Sequence, residues 1–369
     1  MIYVVPLIVM ALLRFCMPRD SARERRVFVS LICALLVTIA ACRSPLVGSD
    51  TTLFMGVFDK LAGRDLLDAL RFSAWVEPGF RLFCLAISLF TKNAAWLVVC
   101  SSVIIHVSVC RFIYRHTSNP YLALFLYVAL TQYTWYLNVM RQALAIAVLL
   151  WGYGFFKERH FLKYSLVVLL AASFHVSALL FLLCPLLCFV RVTKKSLAFL
   201  LPLTAVLAVL GALLVRPLVA LAVRLVPHYG DYKPTTFLAL YGFFAFFAAV
   251  TALGIWRLYF SRQALQYESA DGFDERGFLT LMMLLGVVVA AMMTRFGQLQ
   301  RVFNYFEVLY LLWLPLALPR AEFDEERRHL SLHVLEIALL LIALAYFFFI
   351  VFARSADWYR ALPYRFFWQ

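Results

Sequence analysis

The apolar stretches of this chain are too long and too numerous for a water-soluble fold. A hydrocarbon core of roughly 30 Å needs about 20 mostly apolar helical residues, or fewer where the ends snorkel. Candidate spans are Ile2–Leu13, Val27–Cys42, Ala94–Cys110, Tyr121–Leu137, Ala143–Phe156, Tyr164–Val190, Leu197–Val215, Phe237–Trp256, Phe278–Met293, Val302–Leu318 and Val334–Ala353. Phe80–Phe90 is apolar but short. The fold class that follows is all-α: a polytopic integral membrane protein with about 11–12 transmembrane segments. Composition agrees. The chain is 64% apolar and 15% charged, where soluble domains are about half apolar and about a quarter charged. Polar connectors are short and no solenoid-type repeat is visible, so residues 1–369 are expected to form a single transmembrane domain.

The first segment lacks a charged leader, and Arg14 stands where a small-residue cleavage site would lie, so it is expected to be retained rather than removed as a signal peptide. Orientation follows from the basic residues, which favour the cytoplasmic side. Arg14, Arg19, Arg23, Arg25 and Arg26 crowd the first connector, which places it inside. Alternation then puts Arg111 and Arg115, Lys157 to Lys163, Arg191 to Lys195, a loop at 257–277 and Arg320–Arg328 inside as well. Two conditions attach. Phe80–Phe90 has to be a re-entrant or interfacial helix within an outer-side loop at 43–93, and Tyr164–Val190 has to be a helical hairpin turning near His175. A further outer loop is expected at 216–235. The cations left outside are nearly all arginine, among them Arg43, Arg64, Arg71, Arg81, Arg141, Arg216, Arg295 and Arg301. Headgroup contact accounts for several of these. A site for a phosphorylated lipid accounts for the choice of arginine, because guanidinium grips phosphate in a bidentate way.

Ionisable residues within apolar segments are costly and face a cavity or a partner. Five groups stand out. Arg43 to Asp50 contains Gly48, which permits a tight turn, and Asp50, which taken alone is an ordinary helix N-cap. Glu77-Pro-Gly-Phe80 opens the short apolar helix; a carboxyl there is expected to have a pKa raised toward acid–base use, unless it is only a helix-start carboxylate. Asn138, Arg141 and Gln142 follow helical spacing, which is expected to put Asn138 and Arg141 on one face. His175 lies in the middle of an apolar run, followed by Ser177. Arg295, Arg301, Asn304 and Tyr305 form the last group, which an interfacial arginine with an aromatic belt would also explain. His106 has no polar neighbours in sequence and is expected to be structural.

Other chemistries lack their signatures. There is no HExxH, CxxC, carboxylate cluster, GxSxG elbow, Walker A pattern or GxGxxG in the chain. The eight cysteines are scattered through apolar runs, and the pair Cys184 and Cys188 has no third ligand nearby. The net charge of +14 makes no case for nucleic acid, since no soluble basic surface is large enough to hold a duplex.

The order of these groups resembles the EpsG family of Wzy-like polysaccharide polymerases. Arg43…Gly48-x-Asp50 comes first, then Glu77-Pro-Gly-Phe80, Arg141-Gln142-Ala-Leu-Ala, the basic run from Lys157 to Lys163, Phe174-His175-x-Ser177, and Arg301 with Tyr305. The resemblance implies extension of a surface polysaccharide, an exopolysaccharide or O-antigen, on the outer face of the bacterial cytoplasmic membrane. A glycan passes from undecaprenyl diphosphate to the terminal sugar hydroxyl of another lipid-linked unit, with no cofactor. The implied partners are the undecaprenyl-diphosphate-linked oligosaccharide and the bilayer, with a chain-length regulator and a flippase as further candidates. Arg141 and Arg301, supported by Arg43 and Arg295, suit the diphosphate; Gln142, Asn138, Asn304 and Tyr305 suit sugar or phosphate. Asp50, Glu77 and His175 are the candidate bases, and the sequence does not choose among them; a carboxylate, Asp50 or Glu77, is favoured because it also balances oxocarbenium-like charge at the anomeric carbon, while His175 suits either the base or a phosphate donor. A single-sugar lipid-linked glycosyltransferase or an O-antigen ligase would share this logic. A flippase should show matching halves, and none is visible.

Overall fold

The computed structural model describes residues 2–17, 21–72, 75–225, 238–261, 273–318, 329–353 and 360–369. It is helical, with no strand among the described residues. This is what lipid demands of a spanning chain, since a helix satisfies its backbone N–H and C=O groups within itself. The chain falls into two compact units, one of Met1–Leu182 with Arg320–Gln369 and one of Leu183–Pro319.

The first unit begins with α1 (Val5–Cys16) and α2 (Ala22–Ala41). Ser21 and Glu24 start α2 with a reciprocal capping box. An insert follows, made of α3 (Thr51–Leu61), α4 (Leu66–Arg71) and α5 (Pro78–Ser88). At about 1.5 Å per residue, none of these three can cross a hydrocarbon core. Then come α6 (Ala95–His116), α7 (Pro120–Ala129), α8 (Gln132–Tyr136), α9 (Met140–Lys157), α10 (Phe161–Ala172) and a 3-10 segment, Val176–Leu183. α9 is the inner helix: it is buried on nearly every side and packs between α6 and α10.

In the second unit, α11 (Cys184–Leu187) leads to α12 (Lys194–Leu225), α13 (Leu238–Ile255), α14 (Glu275–Met293), α15 (Gln300–Glu307) and α16 (Tyr310–Ala317). α14 is the core of this unit, and α12 and α13 pack against it. Gly254 on α13 lies where a Cβ would collide with the Trp313 ring, so α13 and α16 touch through a glycine. Trp313 Nε1 donates to Thr280 Oγ1 at 3.1 Å, and Thr251 and Tyr310 share a hydrogen bond of 2.6 Å. Only 17% of the apolar window of α12 is buried, so its surface is left for lipid. α17 (His329–Phe348) belongs to the first unit, where it packs on α7.

Among the described residues, four helices are individually long and apolar enough to cross a membrane: Ala95–His116, Lys194–Leu221, Leu240–Phe260 and Glu275–Met293. Shorter apolar helices make up the rest, including Ile2–Cys16, Pro120–Ala129, Phe161–Ala172 and Val176–Leu187. Several stretches expected to be continuous are broken. Tyr121–Leu137 divides at Thr131, which is left-handed with φ 65°. Thr134 and Asn138 then bond back to the carbonyls of Thr131 and Thr134, which competes with helical continuation. Val302–Leu318 divides between α15 and α16. The run Tyr164–Val190 does reverse near His175: Tyr164 OH donates to Phe181 O at 3.0 Å, whereas a sequence separation of 17 would span about 25 Å in a straight helix. The outer loop expected to start at 216 begins inside α12, and residues 226–235 lie outside the described residues, as does most of the loop at 257–277.

Candidate functional site

Glu77, Arg141 and His175 are distant in sequence and meet in the first unit. Glu77 occupies the N-cap position of α5 in an extended conformation (φ −62°, ψ 147°), followed by Pro78 in the first turn. Its carboxylate makes no capping bond to its own helix and is free to reach elsewhere. Gly79 decides where. Its N–H donates to Ser173 O at 2.7 Å, and a Cβ at this position would overlap both the side chain and the backbone of Ser173. The start of α5 therefore presses directly onto the turn that ends α10. His175 lies in that turn, with its N–H bonded to Ala171 O at 3.1 Å.

The close approach brings Glu77 Oε1 to 3.0 Å from His175 Nδ1 and 3.4 Å from the Val176 N–H. Glu77 Oε2 forms an ion pair with Arg141 Nη1. The three side chains are 15–16% exposed, closed enough to limit screening and open enough to admit a ligand. Arg141 stands in the first turn of α9. Its guanidinium lies over the rings of Phe54, at 4.9 Å, and Trp75, at 5.5 Å, and Nη1 also donates to Trp75 O at 2.9 Å. Its Nε is buried with no hydrogen-bond partner among the described residues.

Burial pushes the Glu77 carboxyl upward, but the hydrogen bond from His175 and the charge of Arg141 outweigh it, and the net pKa lies below the ordinary glutamate value. This corrects the sequence expectation of a raised pKa. The partners that reverse the sign come from α9 and the α10 turn, neither of which is near in sequence. Glu77 is held as a carboxylate. His175 is held through Nδ1.

The loop from Arg43 to Asp50 is fastened beside this cluster. Gly48 has φ +94°, and a Cβ there would strike Leu137 O. Ser49 N–H donates to Asn138 Oδ1 at 2.8 Å, and Asn138 Nδ2 donates to Thr134 O at 2.9 Å. Asn138 thus clamps the loop to the turn ahead of α9. Asn138 stands before the helix rather than on it, so it does not share a helical face with Arg141 as the spacing suggested. Asp50 takes the N-cap position of α3 without capping it and accepts from Ser49 Oγ at 3.2 Å. One turn later on α3, Phe54 supplies one of the two rings under Arg141.

The remaining sequence candidates lie elsewhere. Arg43 is buried; its Nη1 donates to Ala40 O and to Ser102 Oγ at 2.9 Å. Burial brings its pKa down to about 10, which leaves it charged at neutral pH. The segment 360–369 closes over it. Ser44 N–H bonds Arg365 O at 2.8 Å, Phe367 N–H bonds Cys42 O at 3.0 Å, and Tyr364 OH bonds Ile39 O at 2.7 Å. Gln142 faces the interior of the first unit. Arg295, Arg301, Asn304 and Tyr305 belong to the second unit. Arg295 O accepts from Arg216 Nε at 3.1 Å, and Asn304 and Tyr305 are buried on α15, with both amide atoms of Asn304 lacking a partner among the described residues. His106 is satisfied by Tyr127 OH at 2.8 Å, in keeping with a packing role. Among the described residues no three His, Cys, Asp or Glu are grouped as a metal would need.

Sequence reasoning passed over Phe54, Trp75 and Ser173. The only available signal was an aromatic residue just ahead of Glu77. The EpsG family model matches residues 26–366. No curated protein and no solved structure matches the chain.

Proposed function

The chain belongs to the EpsG family of Wzy-like polysaccharide polymerases, and from that premise we propose that it joins lipid-linked glycan repeat units through the Glu77–His175–Arg141 cluster. The donor is a glycan on undecaprenyl diphosphate, and the acceptor is the terminal sugar hydroxyl of a second lipid-linked unit. The acceptor oxygen attacks the anomeric carbon and forms the new glycosidic bond. The bond from that carbon to the diphosphate oxygen breaks, and undecaprenyl diphosphate leaves with the electron pair. The hydroxyl proton passes to Nε2 of His175. Glu77 holds the Nδ1–H and stabilises the imidazolium, a role that suits a carboxylate of lowered pKa better than proton abstraction does. Arg141 offers charge to the departing phosphate from an aromatic seat that keeps its plane fixed. Asp50 remains as the second carboxylate, placed to balance positive charge at the anomeric carbon. Arg43 acts by holding the loop rather than by touching diphosphate. The Arg295 to Tyr305 group has no step in this scheme.

The orientation is part of the proposal. Arg141 and Lys157 stand at opposite ends of α9, about 24 Å apart at 1.5 Å per residue. Arg111, Arg115, Lys157 and Lys163 gather at the far end, which by the distribution of basic residues is the cytoplasmic one. The cluster then opens on the outer side, where flipped repeat units arrive. A flippase would supply the substrate and a chain-length regulator would act on the product.

The observation that carries this reading is the carboxylate–imidazole–guanidinium contact itself. It is tested by reconstituting the protein in vesicles with an undecaprenyl-diphosphate-linked repeat unit. A ladder of lengthened products is expected, and it should vanish in Arg141→Ala. Products limited to one added sugar would favour a single-addition transferase. Movement of unlengthened lipid across the bilayer would favour a flippase.

A further inference from the structure

Cations gather at the basic end of α6 and α9. Arg111 lies 3.6 Å over the ring of Trp151. Trp151 Nε1 donates to Ser108 Oγ at 2.9 Å, which ties α9 to α6 at this level. Trp151 is 47% exposed. One turn beyond Arg111 is Arg115, exposed, and next to it His116, set between the rings of Phe112 and Tyr153 at 5.5 and 5.0 Å. His116 feels the charges of Lys157, Arg111 and Arg115 together, so these groups share one small region. Among the described residues no carboxylate pairs with Arg111, Arg115 or His116.

Like charges held this close repel, and a fixed anion would relieve them. The stack on Trp151 occupies the face of the Arg111 guanidinium and leaves its edge, where the N–H donors lie, for a phosphate. The surface toward the bilayer centre is apolar. Val107 and Ile104 stand one and two turns before Arg111 on the same side of α6, and they are 40% and 39% exposed. A ligand fitting both features has a phosphate head and acyl tails. We propose that this end of α6 and α9 binds an anionic phospholipid, its phosphate held by Arg111 and Arg115 and its tails lying along Val107, Ile104 and Trp151. The site is separate from the Glu77 cluster, and the proposal does not depend on the polymerase reading.

The test is native mass spectrometry of the full-length protein in detergent, titrated with equal amounts of phosphatidylglycerol and phosphatidylcholine. Preferential retention of phosphatidylglycerol is expected, weakened about fivefold in Arg111→Gln and again in Arg115→Gln. Arg115 is exposed, so its variant stays informative if Arg111→Gln does not fold. Brominated phosphatidylglycerol should quench emission that is missing in Trp151→Phe. Equal retention of the two lipids, or unchanged binding in both arginine variants, would overturn the proposal. Full displacement by millimolar inorganic phosphate would also overturn it, in favour of a free-anion site.

Discussion

At the scale of the residue, Glu77 shows how environment sets a role. Taken alone it is a carboxylate at a helix start, yet it makes no cap and gives its two oxygens to His175 and Arg141. Its pKa is lowered, so the ionised pair with Arg141 is complete above the ordinary glutamate pKa of about 4.3 and is lost only as pH falls through the lower folded value. Wild-type protein titrated with acid should therefore lose thermal stability progressively as pH falls below the ordinary glutamate pKa toward the lower folded value. Glu77→Gln should remove that acid limb and lower stability at neutral pH. Parallel acid profiles for the two proteins would count against the pairing. On activity, His175→Ala should lower the turnover of bound repeat unit by about 10²–10⁴-fold while leaving lipid-linked donor binding intact, the range removed with a general base. Normal ladders from His175→Ala would return the choice of base to Asp50 or Glu77.

At the scale of the element, two glycines do what no charged residue can. Gly79 lets α5 meet the end of α10, and Gly48 lets the Arg43–Asp50 loop lie on the turn before α9. Gly79→Ala should separate Glu77 from His175 by forcing α5 off Ser173. The expected result is protein that inserts and purifies normally but yields no ladder; wild-type turnover would show that the contact does not position the site. Much of this was legible in sequence as short motifs, since Glu77-Pro-Gly and Gly48-x-Asp50 mark a helix start and a turn. Their partners were not legible. Asn138 was expected to share a helical face with Arg141, but the chain breaks at Thr131 and again after α8, so Asn138 lies in the turn between α8 and α9, which starts at Met140. Spacing says nothing about such a break, because it comes from local hydrogen bonding by Thr134 and Asn138.

At the scale of the whole molecule, the reversal near His175 makes one end of α10 basic and puts the other beside Glu77. Single cysteines at Lys163 and Val176 should react with an impermeant thiol reagent from opposite sides of sealed vesicles, in a background with the eight native cysteines replaced. Labelling from the same side would undo the outer placement of the site. In the second unit, Gly254→Ala should lower stability by about 1–3 kcal/mol, the usual cost of overpacking, because the methyl meets the Trp313 ring. An unchanged melting temperature would mean that α13 and α16 can part freely. Sequence by itself determined that this chain is helical and lives in lipid, because apolarity over a window is a local property that each segment carries alone. It also determined the order of the polar groups, which is enough for the family. Only the tertiary structure decided that Glu77 pairs with Arg141 and His175, 64 and 98 residues away. That pairing depends on which backbones can touch, and a missing Cβ at Gly79 settles it through a partner that no neighbouring residue names.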